Sequence, residues 1–182
     1  MIQSTPSDSL NLAVIPARGG SKGIKNKNIM QVGSKTLIEH AICAAKSSAL
    51  LTDIIVTSDN PKILELSTQY CISTRDRPIS LAQDDSSVVT ALQDAVNTME
   101  TINKCVYDNI ILLQPTSPIR TGDDIDNVIN IMIKYPDVEG VISVSDCGVF
   151  LPDHQYYIER DGENGVDALR PFTDENNQRK RR

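Results

Sequence analysis

The chain carries no excess of positive charge: 18 Lys and Arg stand against 24 Asp and Glu, a formal net charge of -6. That balance argues against a general nucleic-acid surface and makes any basic cluster a local device. Cysteine is scarce. Cys43, Cys71, Cys105 and Cys147 lie far apart, with no C-x-x-C pair and no histidine at ligand spacing, which reads as reduced thiols in cytoplasm. Long apolar runs are absent, and nothing approaches the ~20 residues of a membrane span. The polar stretch Met1 to Asn11 lacks the charged opening and apolar middle of a signal peptide. A soluble cytoplasmic protein with neither membrane nor nucleic acid as partner is expected.

What is present is material for a core, since 40% of the 182 residues are apolar. Short β-rich runs alternate with stretches of helical period. Strands are predicted at 11–17, 53–59, 71–74, 109–115 (a buried one) and 140–145, and helices at 36–51, 61–70, 86–102 and 123–135. Asp59 or Asn60 can cap the second helix, and Pro61 supplies its first residue. Such alternation implies an α/β fold of three layers, Rossmann-like, with a mainly parallel sheet and helices on both faces. One domain is expected over 1–172, with a polar tail at 173–182.

The local basic cluster follows the first strand: IPARGGSKGIKNKN, residues 15–28. In an open α/β sheet, ligands bind beyond the carboxyl ends of the strands, and the loop after the first strand is the usual phosphate site. Gly19, Gly20 and Gly23 would let backbone N–H groups approach phosphate oxygens, with Arg18, Lys22 and Lys27 supplying charge. Burying a triphosphate demands such a set. The spacing fits neither the P-loop nor the dinucleotide fingerprint.

The string Ile15-Pro16-Ala17-Arg18-Gly19-Gly20-Ser21-Lys22-Gly23, followed by Lys27-Asn28, resembles the opening of the cytidylyltransferases that make CMP-sialic acids. RPISLAQDDSS (77–87) is similar to that family's second segment, and LLQPTSPIR (112–120) to its third. Gly23, Lys25 and Asn26 look more like the sialic or legionaminic acid branch than the pseudaminic one. The resemblance implies a nucleotidyltransferase that joins CTP to a nonulosonic acid sugar, giving CMP-sugar and pyrophosphate, with Mg²⁺ as cofactor. Full-length members are homodimers by the same resemblance.

By resemblance Arg18 and Lys27 grip the triphosphate and carry the catalysis, with Gly19, Gly20, Ser21 and Lys22 beside them and Asn28 on the nucleoside. Arg77, Ala82 and Ser87 would hold the cytosine, and Gln114, Thr116 and Ser117 the sugar. A guanidinium suits the O2 and N3 acceptors of cytosine, although a salt bridge from Arg77 to Asp76 or Asp84 is the plainer alternative. Lys25 reads as a surface lysine, and Arg120 as an anchor of its loop. Asp123, Asp124 and Asp126 read as first-turn carboxylates that complement a helix dipole. Neither His40 nor His154 has a partner that would make it catalytic.

The chain departs from the family after Cys147. The family's Pro-x-Lys element is missing there, and its later metal-binding aspartates and dimer region have no counterpart, so the metal ligands are unknown. Two further readings follow: a truncated, catalytically silent CTP-binding domain, and a glycosyltransferase whose D-x-D would be Asp124-Ile125-Asp126.

Overall fold

The computed structural model describes residues 9–20, 23–83, 86–144, 156–159 and 168–171. In chain order, β1 (Asn11–Pro16) leads through the basic loop to a one-turn 3-10 helix, Lys27–Ile29, and to a small antiparallel pair, β2 (Gln31–Val32) and β3 (Lys35–Thr36). Helix α1 (Leu37–Ser47) follows, then β4 (Asp53–Ser58), α2 (Pro61–Gln69), β5 (Ser73–Asp76), a second 3-10 turn at Ile79–Leu81, α3 (Val88–Asn103), β6 (Asn109–Leu112) and α4 (Gly122–Lys134). Two compact units result, Met1–Ile142 and Ser143–Arg182, where the sequence reading drew its boundary at 172. In the second unit, β7 (Tyr156–Glu159) pairs antiparallel with β8 (Ala168–Pro171).

Each helix begins where its sequence offers a cap. Thr36 and Glu39 form a reciprocal capping box at α1, the Glu39 carboxylate accepting the Thr36 N–H at 2.7 Å, and Thr121 and Asp124 form another at α4. Of the two candidates at α2, Asn60 is the cap, its side-chain oxygen accepting the Lys62 N–H at 3.0 Å.

The first unit is built on a parallel sheet in the order β5-β4-β1-β6. Alternation sends Leu12 and Val14 of β1 to one face and Ala13 and Ile15 to the other, and all four are fully buried. Ala13 and Ile15 pack with Ile38 and Ile42 of α1, Ile63 of α2, and Ile125 and Ile129 of α4. Leu12 and Val14 pack with Ala95 and Met99 of α3. The expected three layers are present. Gly122 makes one packing possible: a Cβ there would collide with the Ser47 backbone at the end of α1.

Two expected strands differ. The run at 109–115 is strand only to Leu112, and it is buried on one face only: β6 has β1 as its single neighbour among the described residues, leaving Ile110 41% and Leu112 38% exposed while Leu113 joins the core. The run at 140–145 forms no strand over its described part, 140–144, where Ile142 is exposed. A β-branched run becomes a strand only against a partner, and β propensity alone does not supply one.

Candidate functional site

The chain adds β4 and β5 on one side of β1 and then crosses to place β6 on the other, so the order reverses beside β1. A cleft of about 630 Å³ opens at the carboxyl ends of these strands, where such a reversal leaves room. Pro16, Arg18, Gly23, Ile24, Lys27 and Asn28 line it from the loop after β1. Arg77 and Leu81 enter from the segment after β5, Ser87 and Ala91 from the start of α3, and Gln114, Pro115 and Thr116 from the loop after β6. Three segments far apart in sequence thus meet around one space.

Two hydrogen bonds tie the start of the first loop to its surroundings. Asn28, 6% exposed, donates from Nδ2 to the Arg18 carbonyl at 2.9 Å, and the Gly19 N–H donates to the Asp59 carboxylate at 2.8 Å. Gly19 lies so close to Asn60 that a Cβ would come within 2.9 Å of its side chain. Gly20 and Gly23 meet no such neighbour, and neither has a positive φ; the left-handed residue of the loop is Asn26, at φ 56°. Among the three glycines of the loop, crowding by neighbouring protein atoms requires the missing Cβ only at position 19. Ser21 and Lys22 lie outside the described residues.

Arg77 is 7% exposed, and its hydrogen bonds run to Thr57 and Ser58. Its Nη2 donates to the Thr57 carbonyl at 2.8 Å and its Nε to the Thr57 hydroxyl at 3.3 Å, while its own N–H donates to the Ser58 carbonyl at 2.8 Å. Burial pushes the guanidinium's pKa down, and the Asp59 charge opposes that shift. Asp84 lies outside the described residues. The neighbouring Arg75 makes the ion pair here, bidentate to Asp94 of α3 at 2.8 and 3.0 Å.

Ser87 caps α3 by accepting the Val89 N–H at 3.2 Å, which leaves its hydroxyl proton for an acceptor in the cleft. Gln114 is exposed, so no cost of a buried amide attaches to it. Ala82 and Ser117 stand on the flanking segments and are not part of the cleft wall, nor are Gly19 and Gly20. Arg120 is half-buried; its Nη2 lies 3.5 Å from the Gln114 carbonyl, and its Nη1 has no partner.

Two of the three acidic residues are structural, and Asp123 stands in the first turn of α4. Asp124 belongs to the α4 cap, and Asp126 accepts the Ala49 and Leu50 N–H groups at 2.9 and 3.1 Å, tying α4 to the turn after α1. This removes the D-x-D required by a glycosyltransferase reading. Among the described residues no three His, Cys, Asp or Glu side chains converge to hold a metal ion. His40 bonds the Val32 carbonyl at 2.8 Å.

Sequence reading missed the end of β4. Asp59 accepts from the first loop and Ser58 from the Arg77 segment, while Thr57 accepts from both, taking the Ala17 N–H at 3.0 Å besides the Arg77 guanidinium. The available signal was the polar T-S-D-N run directly after an apolar strand, the position where α/β sheets carry their ligands.

A family model described as cytidylyltransferase matches residues 12–137, more than half of the chain and all three segments that form the cleft. The chain belongs to the cytidylyltransferase family. This family member is 37% identical over 135 residues to the CMP-N,N'-diacetyllegionaminic acid synthase of Legionella pneumophila, a match covering 74% of this chain and 57% of that one. It is 34% identical over 116 residues to a pseudaminic acid cytidylyltransferase of Campylobacter jejuni, covering 62% and 49%. Among solved structures, a CMP:2-keto-3-deoxy-manno-octonic acid synthetase complexed with CTP shares the fold, with a TM-score of 0.56 at 22% identity, over 71% of this chain and 50% of that one. The cytidylyltransferase chain described here spans about half the length of the curated relatives it matches. Among its described residues no helix is long and apolar enough to cross a membrane.

Proposed function

We propose that the chain carries the nucleotide half of an enzyme that activates a nonulosonic acid sugar with CTP, releasing pyrophosphate. The observation that supports this most is the cleft itself: Arg18 and Lys27 on one wall, the buried Arg77 on another and Gln114 and Thr116 on a third, in a member of the cytidylyltransferase family. Cations suit the triphosphate, a guanidinium suits the cytosine acceptors and the amide and hydroxyl suit a sugar.

In the reaction, the sugar's anomeric hydroxyl oxygen forms a bond to the α-phosphorus as the bond to the β-phosphate bridge oxygen breaks, and the hydroxyl proton is released. The protein's part is to bring the oxygen in line and to neutralise charge growing on the leaving pyrophosphate. Arg18 and Lys27 are the catalytic residues of this reading. Mg²⁺ enters it as the counter-ion of the nucleotide's own phosphates, because the described residues supply no carboxylate cluster for it. The proposal places the protein in the cytoplasm, in keeping with the unpaired Cys43, Cys71 and Cys105, and extends to a homodimer for a longer chain.

Calorimetric titration with CTP, UTP, ATP and GTP tests the reading. CTP should bind in preference to the other three, and Arg18→Ala should weaken it about tenfold, ~1.4 kcal/mol, through loss of a charge-assisted contact. Equal affinity for all four nucleotides would overturn cytosine recognition by Arg77.

A further inference from the structure

Two hydrogen bonds of the basic loop fall on a single peptide group. Its carbonyl belongs to Arg18 and accepts from Asn28 Nδ2 at 2.9 Å, while its N–H belongs to Gly19 and donates to Asp59 Oδ1 at 2.8 Å. A planar peptide held at both poles cannot rotate, and its orientation fixes the direction in which the Arg18 side chain leaves the backbone. We propose that Asp59 is a positioning residue of the nucleotide site: by holding the Gly19 N–H opposite Asn28, it sets the plane of the Arg18–Gly19 peptide and so aims Arg18 into the cleft. The inference rests on the CTP reading for what Arg18 is aimed at, and not for the clamp itself.

Three observations converge on Asp59. It is pre-set on both sides, since the carbonyl of the buried Ser58 accepts the Arg77 N–H at 2.8 Å and Asn60 is fixed as the cap of α2, its N–H bonded to the Ser58 hydroxyl at 3.0 Å. The approach of chain to chain is close enough that residue 19 must lack a Cβ. A carboxylate beside a site for a polyanion also disfavours binding by like-charge repulsion, so its place there calls for a compensating task. The charge-assisted bond to Gly19 supplies that task. Arg77 keeps its own two side-chain bonds to Thr57, so the base-binding side of the cleft retains its hydrogen-bond frame when Asp59 is replaced and feels only the loss of the Asp59 charge.

The test compares Asp59→Ala and Asp59→Asn with the unaltered chain, titrating each with CTP and with CMP. Asp59→Ala should weaken CTP about tenfold and CMP by less than about threefold, because CMP lacks the phosphates that the loop reaches. Asp59→Asn should recover most of the CTP affinity, since its amide oxygen accepts the same bond. Parallel losses for CTP and CMP, or unchanged CTP binding in a folded Asp59→Ala, would overturn the proposal. If the unaltered chain binds no nucleotide, the CTP reading fails by itself, and the clamp is judged by hydrogen exchange at the Gly19 amide. That exchange should be about tenfold faster in Asp59→Ala than in the unaltered chain, and equal rates would overturn it.

Discussion

Arg77 makes the cleft wall out of a charged group by tying it to the neighbouring strand. Its two side-chain bonds to Thr57 need donors at a fixed spacing, which a guanidinium has and an ammonium lacks. Arg77→Lys should therefore weaken CTP about tenfold and cost ~1–2 kcal/mol of stability, read from titration and from urea denaturation of the same protein. Unaltered stability would mean that Thr57 is not its anchor. The sequence made Arg77 legible as a candidate because it stands beside Pro78 in a recognisable segment. It could not show the partner, which lies 20 residues away on another strand. The glycines teach the same limit. Three of them in one basic loop look alike on paper, yet only Gly19 has a neighbour that forbids a Cβ, so Gly20→Ala should leave CTP affinity within about twofold while Gly19→Ala reduces it. Equal effects of the two would contradict that distinction.

At the scale of elements, the legible features were those whose physics is local. A cap and the N–H groups it satisfies lie within three residues of each other, and so the sequence narrows the α2 cap to Asp59 or Asn60 before Pro61 and sets Asp124 in the first turn of α4, without showing Thr121 as its partner. Strand status is not local: β6 and the run at 140–144 have similar apolar character, and among the described residues only the first has a partner strand. The α1 cap gives a pH dependence. The Thr36 N–H and hydroxyl hold the Glu39 carboxyl below the usual glutamate range, and its other oxygen accepts from Tyr70 at 2.8 Å, which pushes that phenol up to about 12. A carboxyl with a depressed folded pKa gives stability that is complete above its unfolded value, ~4.3, and is lost as pH falls through the folded one. Glu39→Gln should cost ~0.5 kcal/mol at neutral pH and lose less than the unaltered chain between about pH 5 and about pH 3, as measured by urea midpoints. Identical acid losses would take Glu39 out of the account. The crossing of α1 and α4 is stricter. Gly122→Ala pushes a methyl group into the Ser47 backbone and should cost ~1–3 kcal/mol, seen as a lower urea midpoint with an unchanged slope.

For the whole molecule, the cleft draws its walls from segments after β1, β5 and β6, so a bound nucleotide joins parts of the chain that otherwise meet only through the sheet. Saturation at about 100 times Kd should add ~2.7 kcal/mol, which in a domain of this size raises Tm by roughly 5–10 °C. No shift with CTP, alongside a shift with another nucleotide, would redirect the proposed function. The same topology bears on how the chain is made. Of the described strands of this sheet, β1 comes first in the chain, and its second side is completed only when β6 arrives, because the partner of Asn11 there is Asn109. At a synthesis rate of ~5–20 residues per second, the apolar strand Leu12–Ile15 waits roughly 5–20 s for that edge to arrive. Until then the strand that will be the most deeply buried in the molecule is the one a nascent chain has most need to shield.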